Sequence, residues 1–142
     1  MRVAALSRGA LVSMWAQHDL TDKVVAILHD VHLNNDVHHF GRPYISSYQL
    51  AIEMHRRHPD TVAAIGKPVG GAGIGQHNSL AQYLSNELSK QINAQGVEHP
   101  VEGAFFSNEN ARAITFADVD GSPITSSLVG TGFDMALYRL RG

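Results

Sequence analysis

Between residues 46 and 116 the chain sets out two helical segments joined by a glycine-studded loop, followed by two extended runs. This order restricts the fold more than any other feature. The first helix opens on Ser46 with Gln49 three residues later, a Ser-x-x-Gln pattern that satisfies two orphan backbone donors at once. It is predicted over residues 46–58 and stops at Pro59, which disfavours helical backbone at the residue before it. Residues 61–65 add a short turn. Residues 66–75 hold five glycines and Pro68, so they read as a tightly turned loop. The second helix is predicted over residues 79–92. Leu80, Leu84, Leu88 and Ile92 recur every fourth residue, with Ala81 and Tyr83 beside them, and so form one apolar stripe. Ser79, Gln82, Asn86, Ser89 and Asn93 share another face. Gly96 and Pro100 punctuate the end. A hairpin is expected to pair residues 101–106 with 112–116 across Ser107-Asn108-Glu109-Asn110.

Upstream, a further helix is predicted over residues 21–33. Thr21 is a suitable cap, Asp22 complements the positive helix end, and Val24, Leu28 and Val31 follow helical spacing. Asn34-Asn35-Asp36 compete for its backbone hydrogen bonds and end it. Residues 1–20 read as an N-terminal arm, with a single domain over 21–142. Arg8 interrupts the apolar run after Arg2 and no cleavage site follows, so a secretory signal is not expected. A turn-rich stretch from Gly121 leads to a strand over residues 133–140. The fold class expected is α+β, with three main helices and a small antiparallel sheet.

With 142 residues, 44% hydrophobic and 17% charged, the chain has the composition of a globular domain and not of a disordered tail. The absence of cysteine excludes disulfides, thiol nucleophiles and cysteine-based zinc sites. No stretch has the length of apolar sequence that a membrane span needs, and a cytoplasmic location is expected. The formal charge of −2 argues against polyanion partners, since phosphate binding usually leaves a basic footprint. Nine histidines qualify that reading: protonated together, they would raise −2 to +7.

Over residues 21–116 the element order resembles winged helix-turn-helix regulators. The resemblance lies in arrangement and patterning, and the glycine loop is longer than the short turn of the simplest members. It implies a non-enzymatic DNA-binding protein, without cofactor or metal, that reads double-stranded DNA as a homodimer. The 79–92 helix would enter the major groove, with Gln76, His77, Asn78, Ser79, Gln82 and Asn86 near base edges. Its free N–H groups would face phosphate, and the preceding glycines would let the backbone approach the duplex. The 101–116 hairpin would be the wing, with Arg112 beside its tip. Arg42, Arg56, Arg57 and Lys67 are further phosphate candidates, which fix register without reading sequence. The 133–140 strand or the 24–31 helix would supply the dimer interface.

Other chemistries are weaker. A winged-helix module that binds protein instead of DNA suits the negative charge, and convergence of Arg42, Arg56, Arg57, Lys67, Lys90 and Arg112 on one face is what separates the two. His29, His32, His38 and His39, with Asp30 and Asp36, could surround a metal, but no His-Glu-x-x-His spacing is present. The glycines at 70, 71, 73 and 75 precede a helix as phosphate loops do, yet no Gly-Lys-Ser/Thr follows. Ser79 lacks a nucleophile elbow and is best read as a cap. Asp118-x-Asp120-Gly121 lacks the further carboxylates of a calcium loop and reads as a turn. Glu53 and Glu87 do not form a catalytic carboxylate pair.

Overall fold

A computed structural model describes residues 13–31, 40–73 and 79–142. Its α+β architecture holds five α-helices among those residues: α1 Met14–Gln17, α2 Leu20–His29, α3 Ser47–Arg57, α4 Pro59–Ile65 and α5 Leu80–Gln95. Strand β1 (Ile45–Ser46) precedes α3, and β2 (Val101–Phe106), β3 (Thr115–Ala117), β4 (Pro123–Thr125) and β5 (Met135–Leu140) follow α5. One antiparallel sheet has the order β1-β5-β2, and β3 and β4 form a separate hairpin.

The helices arise as their sequences dictate. The capping box at α3 is complete: the Gln49 N–H donates to Ser46 Oγ at 3.1 Å and the Ser46 N–H donates to Gln49 Oε1 at 2.8 Å. Val24, Ile27 and Leu28 of α2, Leu50 and Met54 of α3, and Leu80, Leu84 and Leu88 of α5 close into one core over Val101 and Tyr138. Each such leucine contributes about 1.5–3 kcal/mol by leaving water. Tyr138 also bolts the sheet to α5, since its hydroxyl lies 2.8 Å from Ser85 Oγ and 3.2 Å from Ser89 Oγ.

Several expectations need correction. The 101–116 hairpin does not form. β2 pairs instead with β5, in unbroken register from Val101↔Leu140 to Phe106↔Met135, while β3 pairs with β4. The turn foreseen at 107–110 is present, with the Ala111 N–H donating to Asn108 O at 2.9 Å and Asn110 at φ 64°. Asn108 decides where the chain goes next. Its buried side-chain amide donates to Leu128 O at 3.1 Å and to Phe133 O, and its N–H donates to Asp134 Oδ1 at 2.9 Å. Residues 107–134 therefore form a long connection tied back to the foot of β5. The 133–140 strand begins at Met135 and is central in its sheet, so neither of its edges can serve a dimer.

The arm expected over residues 1–20 is folded from Ser13 on. Trp15 is buried, its Nε1 donating to Thr21 Oγ1 at 2.8 Å and its ring lying 6.0 Å from that of Tyr83. Helix α2 ends at His29, short of the residue 33 expected, and its intended stop at 34–36 lies outside the described residues. Pro59 both stops α3 and opens α4, because its missing N–H is harmless in a first turn. The Asp118–Asp120 segment is the β3–β4 turn, with Gly121 at φ 86° and its N–H donating to Asp118 O at 2.8 Å.

Candidate nucleic-acid interface

Helix α5 is fixed first at its N-terminus. Ser79 caps it, accepting from the Gln82 N–H at 3.0 Å. The Leu80 N–H donates to Pro68 O at 2.7 Å, the Ala81 N–H to Val69 O at 3.0 Å and the Tyr83 N–H to Ser79 O at 3.0 Å. All four donors of the first turn are thus satisfied inside the protein, and none is free for phosphate as the sequence suggested. The glycines have the same internal purpose. Gly70 stands at φ +135°, where a Cβ would lie 3.1 Å from Ser79 Cβ. Gly71 stands at φ +111°, where a Cβ would lie 3.0 Å from Ile124 Cγ2 and 3.1 Å from Thr125 O. Here the close neighbour is the β3–β4 hairpin and the α5 cap. The Ala72 N–H completes the docking on Thr125 O at 2.7 Å.

The polar face of α5 borders a cleft of about 340 Å³. Ser79, Gln82 and Asn86, singled out from sequence, line it together, joined by Ser85 and Ser89. Gln82 Nε2 donates to Asn86 Oδ1 at 2.9 Å, which holds the two amides side by side. The opposite wall is Phe105 of β2 with Phe133 and Asp134 of the long connection. Sequence reasoning missed this wall. Its members are remote in the chain: β2–β5 pairing places Phe105, and the Asn108 hydrogen bonds hold Phe133 and Asp134 at the foot of β5. Gln76, His77 and Asn78, expected beside these readers, lie outside the described residues.

The cations do not converge. Arg42, Arg56 and Arg57 lie at the C-terminal ends of α2 and α3. Arg42 donates to His29 O at 3.3 Å, Arg56 is bidentate on Glu53 at 2.8 and 2.7 Å, and Arg57 reaches Asp30 at 2.9 Å and Glu53 at 3.3 Å. The Arg56 guanidinium foremost holds the Glu53 carboxyl below the ordinary carboxylate range, and Glu53 in turn raises Arg56. The Asp30 carboxyl is also lowered, first by its hydrogen bond with His29 and then by Arg57. Lys67 sits elsewhere, 6.0 Å from the Tyr83 ring centroid, and Lys90 pairs with Glu87 at 3.2 Å. Arg112 is exposed in the connection after β2 and has no hydrogen bond or ion pair among the described residues.

The histidine cluster is only partly in view. His29 is exposed and 3.3 Å from Asp30, while His32, His38 and His39 lie outside the described residues. Among the described residues no group of three or more His, Asp or Glu side chains is placed to hold a metal. No helix among them is long and apolar enough to cross a membrane. Comparison with protein-family models, with curated proteins and with solved structures finds no match to this chain.

Proposed function

We propose that this chain is a winged helix-turn-helix DNA-binding protein, a cytoplasmic transcriptional regulator whose wing is the long connection 107–134. One observation carries the reading. Apart from the short α1 and α4 and the β3–β4 hairpin within the connection, the elements run helix, strand, helix, helix, strand, strand through α2, β1, α3, α5, β2 and β5, and the sheet has the order β1-β5-β2. That path puts the polar face of α5 beside the connection between the last two strands, where a recognition helix and a wing belong. Gln82 and Asn86 are the proposed readers, joined by Gln76, His77 and Asn78 ahead of the helix, while Ser79, buried and engaged as the α5 cap, is withdrawn from that role. Arg112 is the proposed wing contact. Arg56 and Arg57 are recruited to phosphate only by leaving their carboxylates, whereas Arg42, on a backbone carbonyl, and Lys67, beside the Tyr83 ring, hold none. For exposed ion pairs that exchange costs about 0–1 kcal/mol each, so pairing does not bar it.

A second reading, a winged-helix module that binds protein, is favoured by the same cation geometry together with the exposed rings of Phe105, Phe106 and Phe133. Fluorescence anisotropy on mixed-sequence duplex DNA, titrated with salt at about pH 6 and about pH 7.5, separates the two, because these values bracket the reference histidine pKa. Salt-sensitive binding is expected. Arg112→Ala should weaken it uniformly and reduce the salt slope by about 1. Gln82→Ala and Asn86→Ala should relax base preference by about 1–3 kcal/mol at a selected site. No binding in low salt at either pH would reject the DNA reading in favour of the protein-binding one.

A further inference from the structure

We propose that the free edge of β2 is a self-association site, pairing antiparallel with β2 of a second copy of this chain. β2 is the outer strand of the β1-β5-β2 sheet. Its inner edge pairs with β5 over six consecutive residues without a bulge, and its outer edge has no strand partner among the described residues. Gly103, Ala104, Phe105 and Phe106 are all exposed, Phe105 at 75%. Protected edges carry lysine, proline, bulges or inward charges. Val101 at its start is covered, its N–H held by His99 Nδ1 and its O by Arg141 Nη2, but from Gly103 to Phe106 the strand carries none of them. Its single charge, Glu102, is already held by Arg139 at 2.6 Å and Arg141 at 3.4 Å, so the carboxylate is not left to repel its copy.

The strand's own sequence argues for a second copy as the occupant. Residues directly opposite in an antiparallel pair share a face. A two-fold axis through Ala104 therefore sets Ala104 against its copy and Gly103 against the partner's Phe105. Gly103 lacks the side chain that would obstruct a ring, and the surface beneath it is the Tyr138 ring, 3.5 Å from where a Cβ would lie. An aromatic covering a glycine in the neighbouring strand is a known stabilising pair. A strand with the bare position and the ring two residues apart is self-complementary, and two-fold pairing closes at the dimer. The assignment stands whether or not the chain binds DNA.

Sedimentation velocity of the full chain from about 1 μM to about 1 mM, the span of moderate to weak affinity, tests it. The mass should rise from 15.4 kDa towards twice that value. Phe105→Lys should move the midpoint at least tenfold higher, and Val97→Lys, equally exposed but off the strand, should leave it unchanged. Gly103→Lys tests the same edge should Phe105→Lys disturb the circular dichroism of the fold. A monomer throughout, a dimer indifferent to both edge variants, or growth beyond the dimer would each overturn the proposal.

Discussion

Replacing Asn108 with alanine tests the interaction that determines the chain's path. The side-chain amide donates to Leu128 O at 3.1 Å and to Phe133 O, and a neutral hydrogen bond contributes about 1 kcal/mol net. Leu128 O also accepts from the Thr131 N–H at 3.0 Å, and Phe133 O lies 3.4 Å from Thr131 Oγ1, so neither carbonyl is stripped bare. Asn108 Oδ1 is buried without a partner among the described residues, and removing it returns part of the loss. The expected cost is therefore about 1–3 kcal/mol, read as a lower urea midpoint at unchanged slope. Asn108→Asp has nearly the same shape but turns oxygens onto two carbonyls and buries charge, so it should cost more than the alanine. Hydrogen exchange should quicken in residues 107–134 and not in α2 or α3. An alanine variant within about 0.5 kcal/mol of the parent, or an aspartate no worse than the alanine, would refute the reasoning.

Two further outcomes follow from local geometry. His99 is buried, accepts from the Val101 N–H at its Nδ1 (3.0 Å), and has Nε2 3.0 Å from Gln91 Oε1. Burial, with the Arg141 charge nearby, pulls its pKa below the ordinary histidine value, and burial does the same at His58. The unfolded chain then binds more protons, so this stability is fully present above about pH 6.5 and is lost as pH falls through the folded pKa. An NMR titration should place the His99 midpoint below that of a free histidine, and a midpoint at or above it would contradict the assignment. Gly71→Ala should destabilise by about 1–3 kcal/mol in thermal melts, from strain plus the 3.0 Å approach to Ile124. Gly73→Ala, at φ +92° with nothing among the described residues within 4 Å, carries the strain alone and should cost less. Equal losses would rule out the packing contribution.

The parts of the fold that sequence revealed are those settled within a few residues. Ser46 and Gln49 form their capping box inside one turn, and Leu80, Leu84 and Leu88 declare the buried face of α5 by spacing alone. The partner of β2 was not legible, because residues 107–110 make a genuine turn in either topology. What redirects the chain is Asn108 bonding to residues 128, 133 and 134, and a turn residue gives no local sign of that. Trp15 was hidden in the same way, since its place depends on Tyr83. The glycines were legible as a turn but not in purpose: their tight contacts are with the Ser79 cap and with Ile124, the latter in a hairpin distant in sequence.

The candidate site was half legible for a related reason. Residue spacing put Gln82 and Asn86 on one helix face, whereas the state of the charges around them depends on tertiary pairing. With the first turn of α5 internally bonded, and Arg42, Lys67 and Arg112 the candidate cations that hold no carboxylate among the described residues, a duplex would draw first on neutral groups and on these three. Each phosphate neutralised adds about −0.9 to the slope of log affinity against log salt. A slope of roughly −3 or shallower is therefore within reach of Arg42, Lys67 and Arg112 without breaking any ion pair. A slope of roughly −4.5 requires Arg56 and Arg57 to have exchanged carboxylates for phosphate as well. In that case Glu53 and Asp30 are left beside the backbone uncompensated, and neutralising them as Glu53→Gln with Asp30→Asn should tighten binding. With a slope of roughly −3 or shallower, the same double variant should leave affinity where it was.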